Sequence, residues 1–98
     1  MITKSMVGQG YDKGVVKLNI SPHNDGIVCR IGDYWFYFGG LTAEEYDDVE
    51  KYKKDIPRDT IIDEIFEVLN DFDFRHTEEF MDEYNYYEAI LKESGCTE

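Results

Sequence analysis

The spacing of apolar residues changes from a two-residue period to a helical period at Gly39 and Gly40. Between residues 14 and 40, apolar side chains alternate with polar ones in short runs, as they do in half-buried strands. Beyond residue 41 they recur three or four positions apart, as on one side of an amphipathic helix. Strands followed by helices are typical of an α+β fold, with the helices packed on one face of a sheet.

Two turn signals divide the strand region. The segment "SPHNDG" at residues 21–26 combines Pro, Asn, Asp and Gly, which favour tight turns. Gly32 and Asp33 lie between two β-rich runs, which is the pattern of a two-residue hairpin. The sequence therefore predicts a three-stranded antiparallel β-meander within residues 14–40. The predicted strands cover residues 14–20, 27–31 and 34–38.

Three α-helices are predicted after the meander, within residues 42–93. The "TAEE" of residues 42–45 fits a capping box and predicts that the first helix covers about 43–54. Pro57 separates this helix from a second one, which is predicted to end near Phe72. Thr77 is the predicted cap of the third helix, and Gly95 follows its predicted end near Glu93.

The chain of 98 residues predicts one domain over residues 1–98, with a single modest core. Residues 1–13 contain two glycines among polar residues and predict a loose N-terminal segment. In the third strand, alternation places Tyr34, Phe36 and Phe38 towards the helices, and Trp35 and Tyr37 on the other face. The predicted core includes the following residues: Phe36, Phe38, Ile65, Leu69, Tyr84 and Leu91.

Charge is distributed unevenly along the chain, which carries a formal net charge of −12. Residues 1–40 have four basic and three acidic residues, whereas residues 41–98 have six basic and nineteen acidic residues. An acidic surface repels nucleic acid and anionic membranes, so direct binding to either is not expected. A basic protein surface is the expected partner.

Acidic residues form a stripe along the second predicted helix, opposite its apolar side. They follow one another at four-residue intervals, and no Lys or Arg lies between Asp59 and Phe74. The stripe can be a solvated face that keeps the chain soluble, or it can be a binding surface. Side chains four positions apart rise about 6 Å along a helix, which is close to the spacing of successive phosphates on a DNA strand. The residues of the stripe are Asp59, Asp63, Glu67 and Asp71.

The third predicted helix adds a second group of candidate residues. Tyr86 and Ile90 form an apolar i,i+4 pair that is predicted to lie opposite the main apolar side of this helix. The pair is either a second packing surface or a contact for a partner. The acidic candidates near the pair are Glu79, Asp82 and Glu83.

No catalytic chemistry can be recognised in the sequence. Cys29 and Cys96 fit no metal-binding spacing, and Cys29 lies in an apolar strand pattern typical of a small core residue. "HTEEF", beginning at His76, lacks the second histidine of the zinc-binding helix motif. We therefore expect no enzyme activity, no metal and no cofactor. No signal peptide or membrane span is apparent, so a cytoplasmic location is expected.

Four segments together resemble a family of small uncharacterised acidic proteins carried by phages and conjugative elements of Gram-positive bacteria. The segments are "IGDYWFYFGG", "TAEEY", "DEIFEVLNDF" and "EEFMDEYNYYEAIL", and the resemblance covers about residues 27–92. It implies an accessory role on a mobile element, similar in character to anti-restriction and anti-CRISPR proteins. The resemblance assigns no role to any single residue.

Two functions follow as hypotheses. In the first, the chain is a non-enzymatic nucleic-acid mimic whose acidic helical face occludes a basic surface of a nucleic-acid-handling enzyme. In the second, it is a small structural or adaptor module of a mobile element. Such a module would form homo-oligomers through Tyr86 and Ile90, or through the outer aromatic face of the third strand.

Overall fold

The structure is a computed structural model, and it describes residues 1–39, 43–70 and 78–97, with the side chains of residues 78–81 excepted. An α+β fold is confirmed, because a three-stranded antiparallel sheet packs with helices around one core. The strands are β1 (Val16–Ile20), β2 (Ile27–Ile31) and β3 (Tyr34–Tyr37). The helices of the described residues are α1 (Lys4–Asp12), α2 (Val49–Asp55), α3 (Arg58–Leu69) and α4 (Glu78–Glu93).

The sheet is the predicted meander, with strand order β1-β2-β3. Gly32 adopts a φ of 65° in the turn between β2 and β3, a left-handed conformation that glycine reaches without steric cost. The register pairs Ile31 with Tyr34, so the hairpin has the two-residue turn that the sequence predicts. β1 begins two residues later than predicted, at Val16, and β3 ends one residue earlier, at Tyr37.

The prediction of a loose N-terminal segment over residues 1–13 is wrong. This segment forms α1, so the described residues contain four helices, one of which precedes the strands. The Thr3 side chain caps the helix by accepting a hydrogen bond from the Met6 N–H at 3.1 Å. Gly8 and Gly10 are buried where α1 packs against α3 and α4. They permit close helix packing instead of ending the helix.

The first predicted helix is interrupted near its start. Residues 43 and 44 are helical, but the helix does not continue through residues 45–48. Asp48 caps α2 by accepting from the Glu50 N–H at 3.0 Å, and α2 therefore starts at Val49. The predicted capping box cannot be compared, because Thr42 lies outside the described residues. Pro57 separates α2 from α3 as predicted, since a proline cannot continue the preceding helix.

The later helix ends agree with the sequence in part. α3 ends at Leu69, three residues before the predicted end at Phe72, which lies outside the described residues. Thr77, the predicted cap of α4, also lies outside them. α4 ends at Glu93 as predicted, and Gly95 follows with a left-handed φ of 81°.

The predicted core residues are all buried, and they lie in one cluster that joins the sheet to the helices. Cys29 is also buried, as its strand pattern indicates. Tyr34 differs from the prediction because its side chain, at the start of β3, remains 46% exposed. It packs edge-to-face on Tyr86 of α4, with ring centroids 5.1 Å apart.

None of the helices in the described residues combines the length and the apolar character needed to cross a bilayer.

Candidate functional site

The acidic stripe of α3 is partly neutralised by basic residues from outside its own segment. Lys4 of α1 forms an ion pair with Asp63, which raises the pKa of Lys4. Arg58, directly before the stripe, donates from Nη1 to Asp59 Oδ1 at 2.9 Å. Of the four stripe residues, Glu67 is exposed without an ion pair to any described residue, and Asp71 lies outside the described residues.

Arg58 of α3 also forms an ion pair with Asp12 of α1. Its Nε and Nη2 donate to the two carboxylate oxygens of Asp12 at 2.8 and 2.6 Å, a bidentate geometry that favours the charged form of both groups. These hydrogen bonds lower the pKa of Asp12 below its usual range. The segment from Asp59 to Phe74 contains no Lys or Arg, but basic residues that precede it in the chain balance part of the stripe. Asp59 and Asp63 contribute to intramolecular ion pairs between helices or beside a helix start.

Glu64 lies beside the stripe and has a packing role. The Tyr52 hydroxyl of α2 donates to its carboxylate at 3.2 Å, and the Tyr52 side chain is fully buried. Burial and the nearby Glu64 carboxylate raise the pKa of Tyr52, so this tyrosine remains a neutral donor. The Tyr52–Glu64 hydrogen bond therefore ties α2 to the acidic side of α3.

The segment "EEYDDVE", residues 44–50, forms a dense acidic region that our sequence predictions did not select as a site. Its carboxylates are all exposed, and within the described residues none of them has an ion pair. Glu44 and Val68 line one shallow cavity, which places this segment next to the last turn of α3. We call these carboxylates together with that of Glu67 the acidic surface. It comprises Glu44, Glu45, Asp47, Asp48, Glu50 and Glu67.

The signal for this surface was present in the sequence, where five of seven consecutive residues are acidic. The capping-box pattern at residues 42–45 instead predicted that these acidic residues lie on a helix over about 43–54. The structure breaks that helix before Asp48, and the whole segment faces solvent except for Tyr46 and Val49, which are half-buried.

The acidic candidates of α4 lie in a different place from the acidic surface. Asp82 and Glu83 line a shallow cavity with Tyr34 and Tyr86, beside the β2–β3 hairpin. Glu83 is half-buried and accepts a hydrogen bond from the Tyr87 hydroxyl at 3.4 Å. The side chain of Glu79 lies outside the described residues. Within the described residues, Asp82 and Glu83 therefore share their cavity with the hairpin residue Tyr34 and with no residue of the α3 stripe.

Tyr86 and Ile90 both pack against the core. This packing corresponds to the first of the two alternatives that the sequence left open, a second packing surface or a contact for a partner. The Tyr86 hydroxyl accepts from the Asp33 N–H at 3.1 Å and so holds the hairpin turn against α4. Both side chains are half-buried. The β2–β3 hairpin packs on Tyr86, since Gly32 and Tyr34 both contact its ring.

The sheet face that points away from the helices carries exposed aromatic and basic side chains. Trp35 and Tyr37 are 37% and 43% exposed, and Lys17 and Arg30 lie beside them in the register of the sheet. His23 contacts the Trp35 ring edge-on, with centroids 6.1 Å apart. Among the described residues of this outer face, Lys17, Arg30, Trp35 and Tyr37 are therefore exposed to solvent.

The described part of the chain contains no assembled metal site. No set of three His, Cys, Asp or Glu side chains there is arranged to hold a metal ion, and His76 lies outside the described residues. Cys29 is fully buried, and burial raises the pKa of its thiol, which suppresses the reactive thiolate. Cys96 is also buried.

Comparisons with protein-family models, with curated protein sequences and with solved structures find no match to the chain.

Proposed function

We propose that this chain is a non-enzymatic interaction protein that binds a basic surface of a partner protein through the acidic surface defined above. The observation that supports this proposal is the group of exposed carboxylates at residues 44–50, none of which forms an ion pair with a described basic residue. Some acids elsewhere in the chain are paired, as Asp12 and Asp59 are with Arg58 and Asp63 is with Lys4.

Unpaired carboxylates at high density are unfavourable for folding, because like charges repel each other in the compact state. A basic partner would relieve this repulsion and would be attracted from a distance, which raises the association rate. Proteins that handle nucleic acid present surfaces of this kind, since they must neutralise phosphates with Lys and Arg. We propose such a protein as the partner, with occlusion of its basic surface as the mechanism.

The acidic surface replaces the α3 stripe as the centre of the proposed contact. Asp59 and Asp63 already have basic partners within the chain, so binding a second cation would compete with existing ion pairs. Glu67 remains available, since it is exposed and has no ion pair with a described residue, and its neighbour Val68 lines the same cavity as Glu44. Asp82 and Glu83 would contact the same partner only if that partner extends to the hairpin.

The test compares two variants with the same change in net charge. One variant carries Glu45→Lys and Asp47→Lys in the acidic surface, and the control carries Asp33→Lys and Glu93→Lys at exposed positions elsewhere. The wild-type chain is used to capture its partner from a bacterial lysate at low salt. The association rate of the purified partner is then measured against ionic strength for all three proteins.

The proposal predicts that the acidic-surface variant associates more slowly and with a weaker salt dependence than the control variant. An effect of net charge alone would slow both variants equally. Equal rates and equal salt dependence for the two variants would therefore rule out the acidic surface as the binding site.

A further inference from the structure

The outer face of the sheet has the opposite charge character from the acidic surface. The strands β1, β2 and β3 contain no acidic residue, and both of their charged residues, Lys17 and Arg30, lie on this face. In a chain with 22 acidic and 10 basic residues, such a local excess of positive charge is unusual. The outer face comprises Lys17, Asn19, Val28, Arg30, Trp35 and Tyr37.

Lys17 and Arg30 are directly opposite each other in the β1–β2 register. Two like charges at paired positions destabilise an antiparallel sheet. Neither side chain has an ion pair with any residue that the structure describes, and Arg30 makes its hydrogen bond through Nε, to the Gly32 carbonyl at 3.0 Å. Folding alone gives no reason for this pair, whereas an external anion would be held by both cations.

The aromatic side chains beside this pair are held in fixed positions. Trp35 lies next to Arg30 in the register and packs edge-to-face on Tyr37, with ring centroids 5.3 Å apart. The Tyr37 hydroxyl donates to the Asp25 carboxylate at 3.0 Å and also contacts Ser21 Oγ at 3.0 Å. Exposed Trp, Tyr and Arg side chains that are already ordered are the residue types that contribute most to protein–protein binding.

We propose that the outer face binds an extended acidic peptide segment of a partner protein. A carboxylate of the segment would bridge Lys17 and Arg30, and an adjacent apolar side chain would pack on Trp35 and Tyr37. This inference goes beyond the proposed function, since it concerns another surface and an occupant of opposite charge. Neither proposal depends on the other.

The size of the face supports a short segment as its occupant. Three strands of four or five residues, about 4.8 Å apart and rising about 3.3 Å per residue, cover roughly 200–250 Å². A stable dimer buries about 800 Å² on each partner, so this face alone is too small for a second copy of the chain. Nucleic acid is disfavoured because two cations cannot offset the repulsion of phosphates by a chain with net charge −12.

The test uses the fluorescence of Trp35, which is the only tryptophan of the chain. The probes are two blocked synthetic peptides, one of alternating Glu and Leu and the other of alternating Gln and Leu. Each is titrated into wild-type protein, into a Lys17→Gln, Arg30→Gln variant and into a Lys51→Gln, Lys54→Gln control. The control removes two exposed charges from α2, and circular dichroism verifies that all three proteins are folded.

The proposal predicts that the Glu peptide binds wild type and control at least about tenfold more tightly than it binds the outer-face variant. The Gln peptide should bind all three proteins weakly. Equal binding of the two peptides by wild type would overturn the proposal, as would equal binding of the Glu peptide by the two variants. Two further results would also overturn it, because they identify another occupant. One is tighter binding of oligothymidylate than of the Glu peptide, and the other is a Trp35 signal that depends on protein concentration alone and accompanies dimer formation.

Discussion

Gly10 of α1 lies so close to Leu91 of α4 that a β-carbon at position 10 would be 2.6 Å from Leu91 Cδ2. The same β-carbon would be 2.8 Å from Val16 Cγ2 of β1. Both distances are shorter than van der Waals contact, so only glycine fits where these three elements meet. α1 is therefore a packed part of the core, and its position depends on a residue that has no side chain.

The first prediction compares the two glycines of α1. Gly10→Ala should destabilise the chain by about 1–3 kcal/mol, because the new methyl group overpacks the contact with Leu91 and Val16. Gly8→Ala is the matched control, since its β-carbon would lie 3.6 Å from Arg58 and Ile62, at ordinary contact distance. Alanine at position 8 should stabilise the helix by about 0.5–1 kcal/mol. Urea unfolding measures both changes, and equal stabilisation by both would show that α1 is not packed as described.

Leu69 provides a test of the predicted core. Its side chain is fully buried at the end of α3, so Leu69→Ala should lower the free energy of unfolding by roughly 2–5 kcal/mol. Val68→Ala is the control, because Val68 is only half-buried and loses less apolar contact. A change below about 0.5 kcal/mol for Leu69→Ala would place Leu69 outside the core.

The Asp12–Arg58 pair predicts a specific dependence of stability on pH. The pKa of Asp12 is lower in the folded chain than in the unfolded chain, so its ionised form stabilises the fold above pH about 3.9. This contribution is lost as the pH falls through the folded pKa of Asp12. The difference in unfolding free energy between wild type and Asp12→Asn should therefore be largest at neutral pH and shrink below pH about 4.

Asp47→Asn is the control for this experiment, because Asp47 is exposed and has no ion pair to any described residue. Its stability difference from wild type should be small at neutral pH. A difference for Asp12→Asn that stays constant from pH 7 to about 3 would contradict the assignment of the Arg58 pair as a stabilising contact.

Two residues of the α3 stripe should respond differently to charge reversal. Asp63→Lys removes an ion pair and places two ammonium groups together, so it should lower the unfolding midpoint. Glu67→Lys breaks no ion pair seen in the structure and relieves repulsion from Asp63, so stability should hold or rise slightly. Parallel thermal unfolding of the two single variants measures this difference. Identical midpoints would indicate that Lys4 does not pair with Asp63 in solution.

The packing of Tyr86 and Ile90 leads to a prediction about the oligomer hypothesis. A Tyr86→Glu, Ile90→Glu variant should lose on the order of 2 kcal/mol, since both side chains contact the core. Tyr86→Phe keeps the ring and removes only the hydroxyl that accepts from Asp33, at a cost of about 1 kcal/mol. Sedimentation and unfolding are measured together. Full stability combined with a loss of self-association would instead support the pair as an interface between copies.

The sheet could be predicted from the sequence because its signals are local. Alternating apolar residues and the Gly32-Asp33 turn are sufficient to specify β2, β3 and their register. The buried side of α3 could likewise be predicted, since Ile65 and Leu69 lie on the same side one turn apart. These patterns depend on neighbours within a few residues of each other.

α1 could not be predicted in the same way, because a glycine can either weaken a helix or allow another element to pack closely against it. Gly8 and Gly10 both lower intrinsic helix propensity, and only the close contact of Gly10 with Leu91 and Val16 shows why a glycine is used at position 10. The partner of Asp63 is also distant in sequence, since Lys4 lies in the segment that was predicted to be loose. The distribution of charged residues in the sequence is sufficient to identify the acidic half of the chain as a candidate site. It does not show which carboxylates form ion pairs in the folded chain.

The contact between α1 and α4 has a consequence for folding during synthesis. Because the ribosome releases the chain from its N-terminal side, α1 leaves the exit tunnel long before the residues around Leu91 are made. Until then, the apolar side chains of Met6 and Val7 cannot have their complete set of native contacts. Complete packing of α1 should therefore wait until the residues around Leu91 have also left the ribosome, and chaperones that bind exposed apolar segments have time to recognise α1 before that step.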